Sequence, residues 1–325
     1  MTNYPNNSNE ETIYTIAFYN LENLFDIYDD ELTNDNDFLP TSDKKWTRKR
    51  YENKLRKLGY SISNIGKEET QKHPTLIGFA EVENAEVLKD LIASKHMAEL
   101  PYSFVHYDSP DERGIDVALI YDRTIFKVIS SETFPVLIIE EDGNRDYTRD
   151  ILFVKGLFDD EPINIIVNHW PSRREGAETS EYKRLIASEK VSDIISQIKQ
   201  HENNPKIIVM GDFNDGPKSN SIKRLGNNNG LYNPMVSLHT FERGTTNYNF
   251  KWDLFDQILF SVNLFEKQSN KINYVNTNIF DADFLKQFHG KYKGQPFRTY
   301  VGKKYKGGYS DHFPVYMTIK KPAIN

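Results

Sequence analysis

Residues 206–217, KIIVMGDFNDGP, narrow what this chain can become more than any other stretch. Ile207, Ile208, Val209 and Met210 form a short unbroken apolar run, as in a strand buried on both faces. The run stops at Gly211, and Asp212 to Pro217 read as a tight loop. A buried strand ending in Asp-x-Asn holds a carboxylate and a carboxamide at a rigid tip. That suits the positioning of a metal, a water or a phosphate. Asp, Asn and Gly are also ordinary turn residues, so one such tip carries little weight alone. Repetition supplies the weight. Residues 15–18 run into Tyr19-Asn20, 76–80 into Glu81, and 163–167 into Asn168-His169. The run 255–260 contains Asp256, and 315–319 follows Ser310-Asp311-His312. Apolar strands that deliver Asn, Glu, His, Asp and Asp-His read as one acidic, histidine-containing site assembled from strand ends.

The 325 residues permit one large domain or two. Hydrophobic residues make up 38%, with 20 Phe and 19 Tyr, enough to fill a sizeable core. The net charge of −6 argues against a non-specific nucleic-acid coat, which needs a basic surface. It leaves room for an enzyme that binds phosphate esters through a local cleft and a cation. With no cysteine, disulfides, thiolate metal sites and a cysteine nucleophile are excluded. No run is long and apolar enough to span a membrane. The polar opening MTNYPNNSNEETIY lacks the basic-then-apolar order of a secretory signal, so a cytoplasmic protein is expected.

Residues 1–11 read as a flexible polar tail, and residues 12–325 as a single domain. No linker, repeat or low-complexity tract divides the chain, and the candidate site residues run from Asn20 to His312. The acidic stretch 26–43 reads as a surface loop. A calcium loop is the sharper alternative, but its carboxylates lack EF-hand spacing. Residues 46–65 have helical periodicity, with Trp46, Leu55, Leu58 and Ile62 facing the core. The other face carries Arg48, Lys49, Arg50, Lys54, Arg56 and Lys57, either a solvated face or a basic lip that attracts a polyanion. A hairpin is expected from 102–107 and 116–121. Its connection carries Arg113, which could reach a phosphate or sit in water. Two more strands are expected at 127–139 and 149–158, and an amphipathic helix at 178–200. Residues 218–249 read as irregular with a loop tip at 226–230. Residues 263–308 read as a short helix and a loop beside the site, lysine-rich towards the end.

The donors Asn20, Glu81, Asp212, Asn214 and Asp311 are all oxygens. That favours Mg²⁺ or Mn²⁺ over Zn²⁺, with Glu81 the leading direct ligand. Hydrolysis of a phosphodiester requires neutralised charge, an oriented water and a protonated leaving oxygen. Asp212 can orient the water or take its proton, and Asn214 can donate to the phosphoryl oxygens. His312 can be held by Asp256. His169 is either structural or a second acid–base group near neutral pH.

The motifs YNLENLFD, FAEVEN, NHWPSR, GDFND, FDQILFS and YSDHFPV, in this order, resemble the endonuclease/exonuclease/phosphatase superfamily over roughly residues 13–319. The resemblance implies a four-layer α/β sandwich, two mostly antiparallel β-sheets packed face to face and flanked by helices, with the site at one end. Carried over by motif, Asn20 and Glu81 would hold the metal with Asp311 beside them. Asp212 and Asn214 would orient the water and contact the phosphate, and Asp256 would orient His312. His169 resembles the histidine of the deoxyribonuclease and sphingomyelinase branches. Arg149 is similar to an arginine that contacts phosphate in the deoxyribonuclease branch, and Arg113 and Arg173 are further phosphate candidates. The expected function is a Mg²⁺-dependent phosphodiester hydrolase, foremost a nuclease, acting as a monomer on a phosphate ester. The alternative is a phosphomonoesterase or a small-molecule or lipid-headgroup phosphodiesterase. The basic residues 48–57 and 286–306 favour nucleic acid, whereas the acidic balance favours a small substrate. Fold does not choose between them.

Overall fold

The structure, a computed structural model, describes residues 12–174, 176–267 and 271–321. The tail expected at 1–11 lies outside them. Twelve strands form two six-stranded sheets. The first sheet contains β1 (Thr12–Leu24), β2 (Leu76–Val82), β3 (Tyr102–His106) and β4 (Asp116–Asp122). The second contains β5 (Phe126–Phe134), β6 (Ile151–Phe158), β7 (Glu161–His169), β8 (Ile207–Asp212), β9 (Leu231–Tyr232) and β10 (Asp256–Ser261). The chain then returns to the first sheet with β11 (Asn273–Ile279) and β12 (Val315–Lys321). The strand orders are β11-β12-β1-β2-β4-β3 and β9-β10-β8-β7-β6-β5. In each sheet only the middle pair is parallel, β1 with β2 and β7 with β8. Parallel neighbours need a long crossover. Helix α1 (Arg48–Ile62) lies on the first crossover, and α3 (Glu181–His201) on the second. Two shorter helices, α2 (Ala85–Ile92) and α4 (Asn220–Asn229), complete the outer layers.

Side-chain alternation along the strands produces the layers. Ile16 and Phe18 of β1 and Leu76 and Ala80 of β2 face inward against Ile165 and Val167 of β7 and Ile208 and Met210 of β8. The intervening Ala17, Tyr19, Ile77 and Phe79 face outward beneath Leu55, Leu58 and Ile62 of α1 and Leu88 of α2. On the far side Ile166 and Val209 pack under Val191, Ile194 and Ile195 of α3 and Leu225 of α4. The result is the four-layer sandwich. A strand buried on both faces has no polar positions until it ends, which is why the apolar runs are unbroken. The sheets approach closely at Gly78 of β2, where a Cβ would lie 2.7 Å from Met210 Sδ and 3.1 Å from Phe18 and Val167.

Several local readings change. Helix α1 starts at Arg48, and Trp46 precedes it as a buried anchor whose indole N–H donates to the Phe25 carbonyl at 3.0 Å. The basic face of α1 is only partly solvated. Lys54 is buried and donates to Thr299 Oγ1 and the Tyr309 carbonyl, each at 2.6 Å, with Glu22 at 3.9 Å. Arg50 and Lys57 bind the backbone carbonyls of Lys44 and Gly307. Much of the expected lip therefore ties α1 to residues 299–309. The Asn-rich 226–230 stretch is the last turn of α4, closed by Gly230 at φ 66° rather than a free loop tip. The segment 263–308 contains an edge strand, β11, in addition to a three-residue helical turn at Asp283–Leu285. Among the described residues, no three acids of the 26–43 loop converge at metal spacing, and no helix is long and apolar enough to cross a membrane.

Burial pushes the Glu22 carboxyl up to about 7 and the Lys54 ammonium down to about 8. Removing one partner of a buried pair strands the other charge. Lys54→Met should lower unfolding free energy by about 3–5 kcal/mol in urea titrations. The exposed Lys49→Met should stay within about 0.5 kcal/mol of the parent.

Candidate active site

Strand register builds half of this site. Asp212 ends β8, directly opposite His169 of the parallel neighbour β7 and Asp256 of the antiparallel neighbour β10. Residues opposite one another share a face. Asp212 follows Ile208 and Met210 on the inner face, so its carboxylate points at the first sheet. There Asn20, two residues beyond Phe18 on the inner face of β1, donates from Nδ2 to Asp212 Oδ2 at 3.0 Å. His169 Nε2 lies 3.8 Å and His312 Nε2 4.0 Å from the same oxygen. Asp212 Oδ1 accepts from the Asn214 backbone N–H at 3.0 Å. One oxygen of one buried carboxylate thus gathers three polar side chains. The two gaps near 4 Å are too long for direct hydrogen bonds and leave a place between the groups.

The surroundings push the two imidazoles in opposite directions. Burial works against charge on His312, but Asp256 Oδ2 sits 2.7 Å from its Nδ1, with Asp212 and Asp311 beyond. These acids outweigh burial and hold its pKa well above the usual histidine range. Burial and the nearby Arg149, Arg113 and His312 push His169 well below that range. That direction runs against the titration near neutrality expected of His169. Burial raises the Asp212 carboxyl to about 6, although His312, Asn20 and the Asn214 N–H favour its charged form.

The other half of the site rests on irregular backbone. Register against β4 slips between Ala80 and Val82, and Glu81 occupies the slip at φ 63°. Such a bulge re-aims one side chain and is costly for a residue with a Cβ. Glu81 Oε2 accepts from the Asn23 N–H at 2.8 Å, and Oε1 lies 3.8 Å from Arg113 Nη2. β1 slips beyond Asn20 too, with Glu22 and Asn23 at φ 51° and 52°. Asn20 Oδ1 accepts from the Glu22 N–H at 2.9 Å. Ser310 Oγ donates to the Asn20 carbonyl at 2.7 Å, which fixes Asp311 and His312 to the end of β1. Asp311 Oδ2 accepts from Arg298 at 3.1 Å.

Glu81 and Asp311 offer carboxylate oxygens and Asn20 its Oδ1, each with unused lone pairs, and this donor set fits a hard divalent cation. Among the described residues, two groups of His, Asp and Glu have metal spacing, and neither includes Glu81 or Asp311. In Asp212, Asp256 and His312, the His312 Nδ1 is already committed to Asp256. In His106, Asp108 and Asp116, the Asp116 carboxylate is taken by His106 Nε2, Ser109 N and Ser109 Oγ at 3.0, 2.9 and 2.5 Å.

The arginines divide differently from expectation. Arg149 is buried, bound to Asp111 Oδ2 at 3.0 Å and the Trp170 carbonyl at 2.8 Å. The Asn214 carboxamide donates to the same carbonyl at 2.9 Å, at φ 50°. Arg173 departs from the role of phosphate ligand. It is committed to the Asn214 carbonyl at 2.6 Å and Asp215 Oδ1 at 2.5 Å, and braces the loop after β8. Its neighbour Arg174, not among the expected phosphate ligands, lies in the field of Arg113, which lowers its pKa, with Glu81 and Arg149 nearby. Glu22 and Asp215 were not among the expected site residues either. Glu22 accepts from the Thr299 N–H at 2.6 Å, and Asp215 holds Arg184 at 2.9 Å and Ser221 at 2.5 Å. Both acids stand inside quoted motifs, NLEN and GDFND, and that position was the available signal.

Gly211 keeps β7 and β8 together at this end, because a Cβ there would lie 2.4 Å from the Asn168 carbonyl oxygen. Backbone cannot rotate aside. Gly211→Ala should cost about 1–3 kcal/mol in urea unfolding and also lower turnover, since Asp212 moves with the strand. Full activity in the variant would show that Asp212 does not depend on this register.

Comparison with known proteins places the fold. A model of the Endonuclease/Exonuclease/phosphatase family matches residues 15–321. No curated protein sequence matches the chain. Among solved structures, a family protein of Bacteroides thetaiotaomicron is 15% identical, with 97% of this chain and 100% of that one covered at a TM-score of 0.62. A mannosyl-6-phosphatase of the same organism is 15% identical, over 94% and 99% of the two chains, at 0.59. D. rerio TDP2, complexed with single strand DNA product, is 14% identical over 94% and 98%, at 0.55. With its family model spanning nearly the whole fold, the chain belongs to the endonuclease/exonuclease/phosphatase family of metal-dependent phosphoester hydrolases.

Proposed function

We propose that this protein is a Mg²⁺-dependent phosphodiesterase acting on nucleic acid, with Mn²⁺ able to replace Mg²⁺. The observation that carries the reading is the convergence of Asn20, His169 and His312 on Asp212 Oδ2. Glu81, Asn20 and Asp311 would hold the cation, which when bound would neutralise charge on the phosphoryl oxygens and on the leaving oxygen as its bond to phosphorus breaks, that oxygen then taking its proton from water. Asp212 Oδ2 orients the attacking water and accepts its proton. Asn20 fixes that carboxylate from the first sheet. Neutral His169 faces the same oxygen and helps hold the water. Protonated His312, anchored by Asp256 at 2.7 Å, donates from Nε2 to the phosphate. Arg113 and Arg174 add positive field on the Glu81 side. Arg149 and Arg173 act by holding loops.

A phosphomonoesterase remains the second reading, supported by the net charge of −6 and by the shared fold of a mannosyl-6-phosphatase. Hydrolysis of a nitrophenyl phosphodiester, a nitrophenyl phosphomonoester and supercoiled plasmid separates the two. Diester and plasmid cleavage support the first reading; monoester cleavage alone supports the second.

Chelation by EDTA should abolish turnover, and Mg²⁺ or Mn²⁺ should restore it. Chelator-resistant hydrolysis would sink the metal assignment. Asp212→Asn and His312→Ala should each lower kcat by about 10²–10⁴-fold with unchanged circular dichroism. Asp256→Asn should give a similar loss through His312 alone, so adding it to His312→Ala should cost little more. Additive losses would contradict the pairing.

A further inference from the structure

Beside Asp311 a cleft of about 680 Å³ opens between the hairpin formed by Thr246–Tyr248 and Lys251–Asp253 and residues 287–306. Its walls are unusually aromatic for a solvent-facing surface. Tyr248 is 76% exposed, Phe288 68%, Phe250 54% and Tyr292 48%. Phe250 and Tyr292 lie parallel within 5°, their centroids 5.7 Å apart, and Lys291 sits 5.5 and 5.2 Å from the two rings. Lys304 and Lys306 join the rim, both exposed, and none of the three lysines has an acidic partner among the described residues. Asp311, paired with Arg298, is the one carboxylate among the described residues that line the cleft. In a chain of net charge −6, this concentrates positive charge next to exposed rings.

Bare ring faces cost free energy in water, and bases stacked upon them recover it. Unpaired lysines at the same surface match a phosphate backbone. Rings for base faces combined with cations for phosphates make a platform for single strands. A duplex hides its base faces, and a neutral sugar has no use for the lysines. We propose that this cleft binds a single-stranded polynucleotide, stacking the bases that flank the scissile phosphate held near Asp311. The proposal rests on the phosphodiesterase reading and extends it to the strandedness of the substrate.

Fluorescence anisotropy with a labelled oligothymidylate about ten nucleotides long, in EDTA so that nothing is cleaved, tests it. The wild-type protein should bind this strand more tightly than the same sequence in a duplex. Tyr248→Ala/Phe288→Ala should weaken binding about tenfold or more. Lys304→Ala/Lys306→Ala should reduce the slope of log affinity against log salt by about 0.7 per lysine. Metal-dependent hydrolysis of the nitrophenyl diester, which carries no flanking nucleotides, should be unchanged in both variants. Unchanged strand affinity in the aromatic variant, or equal affinity for duplex, would overturn the inference. So would failure to bind the strand by a protein that still hydrolyses the small diester, and that result would leave the catalytic reading standing. Loss of all ester hydrolysis with strand binding intact would overturn the catalytic reading alone.

Discussion

A buried hydrogen bond from Asn20 to Asp212 joins the working ends of the two sheets. Asp212 is 2% exposed, and an ionised carboxylate at that depth is costly unless donors surround it. The donors are Asn20 from β1 in the first sheet and the Asn214 N–H from the loop after β8, and the His312 imidazole from the segment entering β12 stands 4.0 Å away. The second crossing is His312 to Asp256. These two contacts fix the distance between the inner faces where the apolar core runs out. The core ends because the strands end, and polar side chains at strand ends can be buried only against one another.

The two halves are built by different means. In the second sheet, ordinary pairing register aligns His169, Asp212 and Asp256 in a row, and no unusual backbone is needed. In the first sheet, Glu81 and the residues after Asn20 occupy slips in register at positive φ. Strain of this kind persists where the surroundings over-determine it. Here the Asn23 N–H, Arg113 and Ser310 supply the restraints. A division of chemistry follows the division of backbone. Oxygen donors gather on the first sheet together with His312, whose pKa Asp256 helps to hold up, while His169, Asp212 and Asp256 stand in a row on the second. Environments that push neighbouring groups apart in protonation are how one site offers a donor and an acceptor together.

Much of the fold was legible because both-face burial leaves uninterrupted apolar runs, and the polar residue at each run's end was visible in one dimension. The site candidates Asn20, Glu81, His169, Asp212 and Asp256 all stand at such ends. Partners were not legible. Lys54 repeats at helical spacing with solvated neighbours, and nothing local reveals that Glu22, Thr299 and Tyr309 meet it in the interior. Arg173 and Arg174 are adjacent and chemically alike. Only the fold shows that one braces Asp215 while the other stands by Arg113. The edge strand β11, NYVNTNI, alternates too weakly to announce itself, since an edge buries little. The Asn-rich end of α4 reads as loop by composition, yet Ile222 and Leu225 hold it to the core.

The division of roles between the sheets is tested most directly by anomalous diffraction from crystals soaked in Mn²⁺. The expected result is a peak at roughly 2 Å from Glu81, bordered by Asn20 and Asp311. A peak enclosed instead by Asp212, Asp256 and His312, with none at Glu81, would contradict it, because the carboxylate proposed to handle the water would then be a metal ligand and His312 could not be its protonated neighbour.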